Sequence, residues 1–125
     1  MVAESLARVA LDAALSSPSR RRIGAVLVKK SKVVATAVNL ETKSHPLQKR
    51  LAERVGLGPK IYLHAEINAL IKAREDADMM VVARVDREGN PKLAKPCPIC
   101  QLALKESGVM LVHYSTPEGF TTMVL

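Results

Sequence analysis

Aromatic side chains are almost missing from this 125-residue chain: there is no tryptophan, and Tyr62, Tyr114 and Phe120 are the whole set. That counts against a single-strand nucleic-acid binder, which offers a row of stacking platforms. Long apolar runs are missing too. No stretch approaches the ~18 consecutive apolar residues of a membrane-spanning helix, so no membrane partner is expected. The opening "MVAESLARVA" carries Glu4 and no basic segment, so it does not read as a signal peptide. The cytoplasm is the expected location. Cysteine is limited to Cys97 and Cys100. Two thiols in a chain read as unexported argue against a disulfide framework and for metal or redox chemistry.

What is present points to one folded unit. Apolar residues make up 48% of the chain, enough for a real core, and residues 1–125 read as a single domain. The net charge is +7. Such a balance suits a phosphate-bearing substrate or nucleic acid, and equally a solvated surface.

The chain alternates short elements without repeats. "AESLARVALDAAL" spaces Leu6, Val9, Ala10 and Ala13 as a helix does. "IGAVLV" and "VVATAVN" read as two strands of a hairpin. Leu40 to Lys60 reads as a long polar connection, with a short helix at "LQKRLAERV". "HAEINALIKARE" is a helix, "MMVVARV" a strand, "DREGNPKLAK" a loop and "CPICQLALKESG" a helix ending at Gly108. "VMLVHYS" and "FTTMVL" are strands joined by the turn "TPEG". The order α-β-β-α-β-α-β-β predicts a five-stranded mixed sheet with helices on its faces.

Two short motifs carry chemistry. "HAE", His64 to Glu66, and "PCPIC", Pro96 to Cys100, each open a predicted helix. Pro98 suits a first helical turn, and Cys97 and Cys100 fall on one helical face. A strand joins the two helices, so their N-termini can meet at one sheet edge and bring His64 to the thiols. Three N/S ligands suit zinc and leave one tetrahedral position open, as in a catalytic site. Helix N-termini favour the thiolate forms. A redox pair remains an alternative reading of C-x-x-C. So does a structural zinc completed by His45 or His113.

H-x-E followed by P-C-x-x-C is the signature of the zinc deaminases, and this chain matches every specified position. From about Ile23 onward it resembles the cytidine deaminase superfamily, whose members act on nucleosides, deoxycytidylate, guanine, tRNA adenosine or single-stranded DNA. The resemblance implies a three-layer α/β/α fold whose five-stranded mixed sheet ends in an antiparallel C-terminal hairpin. It implies one Zn2+ per chain on His64, Cys97 and Cys100, with Glu66 as the proton-transferring catalytic residue. It further implies that Asn39 and Glu41 hold the sugar, and that the Ala65 amide and the Lys95 carbonyl hold the base.

The resemblance divides over substrate. "SSPSRRRIGAVLV" is similar to the first-strand entry of deoxycytidylate deaminases, and "PCPIC" to guanine and tRNA deaminases. The C-terminal hairpin is similar to nucleoside cytidine deaminases and some toxin-type deaminases. The chain ends where many relatives add a substrate-covering helix, so a homo-oligomer in which another subunit completes the pocket is expected. The expected activity is hydrolytic deamination of cytosine in a free nucleoside or nucleotide. Deamination in single-stranded nucleic acid and a catalytically idle zinc-binding module stand as alternatives. In "SRRR", Ser19 to Arg22, alternation along an extended segment would let one or two arginines meet a phosphate.

Overall fold

A computed structural model describes residues 3–58 and 62–125. Pro59 and Lys60, the end of the expected polar connection, lie outside the described residues, as do Met1 and Val2 of the opening segment.

Five strands form the body of one mixed sheet, in the order β2 (Lys32–Val38), β1 (Arg22–Lys29), β5 (Met79–Val85), β7 (Leu111–Thr116) and β8 (Gly119–Val124). β5 and β7 run parallel, and the other neighbours run antiparallel. The parallel pair needs a crossover, and α4 (Pro98–Glu106) supplies it. β1 and β5 are almost continuously apolar because both of their faces are covered.

Strand alternation sorts these side chains into two cores. Val26, Val28, Val81 and Ala83 face α1 (Glu4–Leu15), which buries Leu6, Ala10 and Ala14 against them. Ala25, Leu27, Met80 and Val82 face the opposite way, towards Ala65 and Ala69 of α3 (Ala65–Lys72) and Leu104 of α4. The α/β/α layering and the C-terminal antiparallel hairpin agree with the sequence expectation. No helix among the described residues is long and apolar enough to cross a membrane.

The structure corrects three local expectations. "DREGNPKLAK" is not only loop: Pro91–Lys92 forms β6, which pairs with β5. The Asp86 carboxylate accepts the Glu88 and Asn90 N–H groups, and Gly89 takes φ +85°, so the segment turns tightly enough to pair. The connection after Leu40 contains the expected short helix, α2 (Pro46–Arg54), but it also opens with a strand, β3 (Leu40–Ser44), which pairs with β4 (Tyr62–Leu63) as a small separate sheet. The His45 imidazole caps α2 by accepting the Leu47 N–H, with Pro46 in the first turn. Finally, the helix opened by His64 stops at Lys72 because Ala73 turns to extended backbone.

Candidate active site

The N-termini of α3 and α4 meet at one edge of the sheet. His64 is the extended N-cap residue of α3, and Cys97 is that of α4, with Pro98 in its first turn. Cys100 follows one turn later and is fully buried. His64 Nδ1 stands 3.3 Å from Cys100 Sγ and 3.4 Å from Cys97 Sγ. The three potential ligand atoms all lie within 4.8 Å of one another.

These spacings suit a shared ion. Around zinc, with Zn–N about 2.0 Å and Zn–S about 2.3 Å, tetrahedral N and S donors stand about 3.5 Å apart. The imidazole and two thiols therefore fit one zinc ion per chain. Among the described residues no fourth ligand joins the group. His45 is spent on its helix cap, and His113 lies on β7 with Nδ1 2.6 Å from Thr122 Oγ1. Three protein ligands leave a position for water or substrate.

The electrostatics agree with a site built for cations. The Cys100 thiol hydrogen-bonds to the Cys97 sulfur and holds Cys97 down at about 4, against burial, with His64 adding to the effect. Burial pushes Cys100 well up, and the hydrogen bond to Cys97 keeps the proton there. A bound cation would favour the thiolate form of both residues.

Glu66 sits in the first turn of α3 and is only 6% exposed. Burial raises its carboxyl above the ordinary range, and the neighbouring His64 charge opposes that rise. Its carboxyl shares the wall of a cleft of about 1030 Å³ with His64 and Cys97.

The remaining expected residues fall in different places. Asn39, Glu41 and Lys95 line the same cleft. Asn39 is heavily committed to the protein. Its Oδ1 accepts from Ser17 Oγ at 2.7 Å and from the Ile23 N–H at 3.1 Å, while Nδ2 donates to the Arg21 carbonyl at 2.6 Å. One Nδ2 hydrogen is left for a ligand. Glu41 accepts the Arg21 N–H at 3.2 Å. Ala65 is fully buried and begins α3, where a backbone N–H has no partner within its own helix.

Sequence reasoning missed several contributors. Gln48 of α2 is fully buried, and its Oε1 accepts the His64 N–H at 3.2 Å, fixing the residue that carries the imidazole. Nothing in the α2 sequence marks that role. Tyr62 packs its ring 5.7 Å from that of His64. Arg84 and Arg87 also line the cleft. Arg84 had a signal, being a charge inside the otherwise apolar strand "MMVVARV". Arg20 and Arg21 both line the cleft although adjacent, because the backbone there is bent rather than extended.

A layered α/β sheet whose two helix N-termini bring one imidazole and two thiols together defines a domain fitted to bind one zinc ion with a position left open. The chain belongs to the cytidine and deoxycytidylate deaminases: the model of that family's zinc-binding region matches residues 2–116. Solved structures share the fold. A cytidine deaminase from Burkholderia pseudomallei aligns with TM-score 0.69 at 20% identity, covering 99% of this chain and 93% of its own. A cytidine deaminase from Mycobacterium leprae gives 0.53 at 26% identity, covering 95% and 91%. The dCMP deaminase from the cyanophage S-TIM5, in complex with dCMP and dUMP, gives 0.58 at 24% identity, covering 89% and 78%. Comparison with curated proteins yields no match.

Proposed function

We propose that this chain, acting as one domain, is a hydrolytic deaminase that converts cytosine to uracil in a free (deoxy)cytidine nucleoside or nucleotide and releases ammonia. The observation that carries this reading is the buried Glu66 carboxyl on the cleft wall beside His64 and Cys97. His64, Cys97 and Cys100 would hold zinc, which when bound activates a water for attack at neutral pH.

The chain's own residues then manage protons. Glu66 accepts the proton of the attacking water. Burial favours its neutral form, so it keeps that proton long enough to pass it to the pyrimidine ring nitrogen. The same carboxyl then takes the remaining proton of the added hydroxyl and hands it to the amine, so that the ring C=O forms as the C–N bond breaks and ammonia leaves. The Lys95 carbonyl and the Ala65 amide would orient the base, and Asn39 and Glu41 would meet the sugar.

An idle zinc module has no use for a carboxylate buried beside the ligands, since taking an ionisable group out of water is unfavourable. The test is ammonia release from cytidine, deoxycytidine, their monophosphates and short cytosine oligonucleotides by zinc-loaded protein. Turnover of at least one free nucleoside or nucleotide is expected. Silence on all of them would overturn the reading.

A further inference from the structure

Arg84 occupies an odd place. On β5, Met80 and Val82 are fully buried in the core beneath α3 and α4, and Arg84 is the next residue on that face. It stands half-buried where the helices no longer cover the sheet, on the cleft wall. Its strand position is fixed from behind. The buried Ser115 hydroxyl accepts the Arg84 N–H at 2.9 Å and donates to the Lys92 carbonyl at 2.7 Å, which ties β5 to β6. Arg87 projects from the turn between those strands and also lines the cleft.

The bent segment carrying Arg20 and Arg21 contributes to the same cleft, and its backbone is held in place. The Glu41 carboxylate accepts the Arg21 N–H, the Asn39 side-chain amide donates to the Arg21 carbonyl, and the Ser19 hydroxyl donates to the Asn39 carbonyl at 2.8 Å. With Lys95, five cations line the cleft against two carboxylates, Glu41 and Glu66. Among the described residues the ion pairs are Arg54–Glu106 and Lys92–Asp86, so none of the five is paired. A half-buried arginine with no protein acceptor has its N–H groups free to meet an arriving anion.

We propose that Arg84 and Arg87, with Arg20 and Arg21, form a phosphate subsite that makes a nucleoside monophosphate the preferred substrate class. The proposal rests on the deaminase reading for the identity of the base. Arginine forks suit phosphate through paired N–H···O contacts. The cleft volume stands at the upper end of the ~300–1,000 Å³ of small-molecule sites, with room for more than a base and a sugar. A polymer is disfavoured because, among the described residues, Tyr62 alone of the tyrosine, phenylalanine and tryptophan side chains lines the cleft, which leaves successive bases nowhere to stack.

The test compares cytidine with its 5′-monophosphate, by kcat/KM for ammonia release and by calorimetric binding to the zinc-loaded protein. Wild type should favour the monophosphate. Arg84→Ala and Arg87→Ala should each cut the monophosphate-to-nucleoside ratio by about 10- to 100-fold, mainly through KM. Arg84→Lys should recover part of the loss. Zinc content and melting temperature identify any variant damaged in its fold, and Arg84→Lys then carries the comparison. Equal efficiency on the two compounds, ratios unchanged in the variants, or a preference for a short oligonucleotide would each overturn the proposal. If no cytosine compound is turned over, the deaminase reading fails. In that case tighter binding of the monophosphate that Arg84→Ala abolishes still upholds the phosphate subsite, and equal or absent binding refutes it.

Discussion

Gly24 lies on the face of β1 that meets α1, and a Cβ built there would stand 2.4 Å from Ala14 N, 2.7 Å from Ala13 Cβ and 2.8 Å from Ala10 O. Ordinary contact begins near 3.4 Å, so Gly24→Ala is short of room by up to about 1 Å. Two of the three obstructing atoms are backbone, which cannot swing aside as a side chain does. Overpacking of this kind destabilises by about 1–3 kcal/mol, and the backbone contacts place it near the upper end. The lost freedom of the unfolded chain returns about 0.4–1 kcal/mol, leaving about 2 kcal/mol net. With an unfolding entropy of about 2.1 cal/mol/K per residue, that lowers the melting temperature by roughly 8 °C. Zinc content should stay at one per chain, because His64, Cys97 and Cys100 lie across the sheet from α1. Calorimetry and metal analysis of the variant check both parts. A melting temperature within about 2 °C of wild type would refute the close packing of α1 on β1.

Cys97→Ala and Cys100→Ala should each be purified with far less than one zinc per chain, read by elemental analysis; full zinc in either would refute the ligand set. Chelation of the wild type should lower its melting temperature and abolish turnover, with zinc restoring both, since bound metal stabilises the fold that binds it. His113 predicts a pH dependence. Burial lowers its pKa below the ordinary value, so the unfolded chain takes up a proton first as the pH falls below about 6.5. Its neutral form therefore supports the fold fully above that pH, and the support is lost as the pH falls through the lowered value. Urea midpoints at pH 7.5 and 5 should show His113→Gln losing less stability on acidification than wild type. An equal loss would show that His113 does not contribute.

The large features of this fold were legible because they depend on local pattern. Unbroken apolar strands, an alanine-spaced first helix and proline at a helix start each record their own environment. The zinc ligands were legible for the same reason, since His64 and Cys97 occupy N-cap positions that their neighbours specify. What escaped notice depends on contacts between distant segments. β6 forms because Asp86 folds its loop and Ser115, from the distant strand β7, ties the two strands together. Gln48 reads as an ordinary helix residue until α2 is docked against the N-H of His64. The arginines of the cleft come from three separate segments, and a charge run in sequence reveals nothing of the cations it will face. Asn39, which the resemblance places at the sugar, spends most of its bonding capacity on holding the segment of Arg20 and Arg21 in place, a role that only the folded chain displays.

The central claim is that His64, Cys97 and Cys100 hold the metal while Glu66 moves the protons. Zinc content and ammonia release measured on the same preparation of Glu66→Ala test it most directly, with wild type alongside. The account predicts about one zinc per chain in both proteins. It predicts turnover only in the wild type, because among the described residues no other carboxyl is buried beside the ligands. A variant that keeps its zinc and remains substantially active would contradict it.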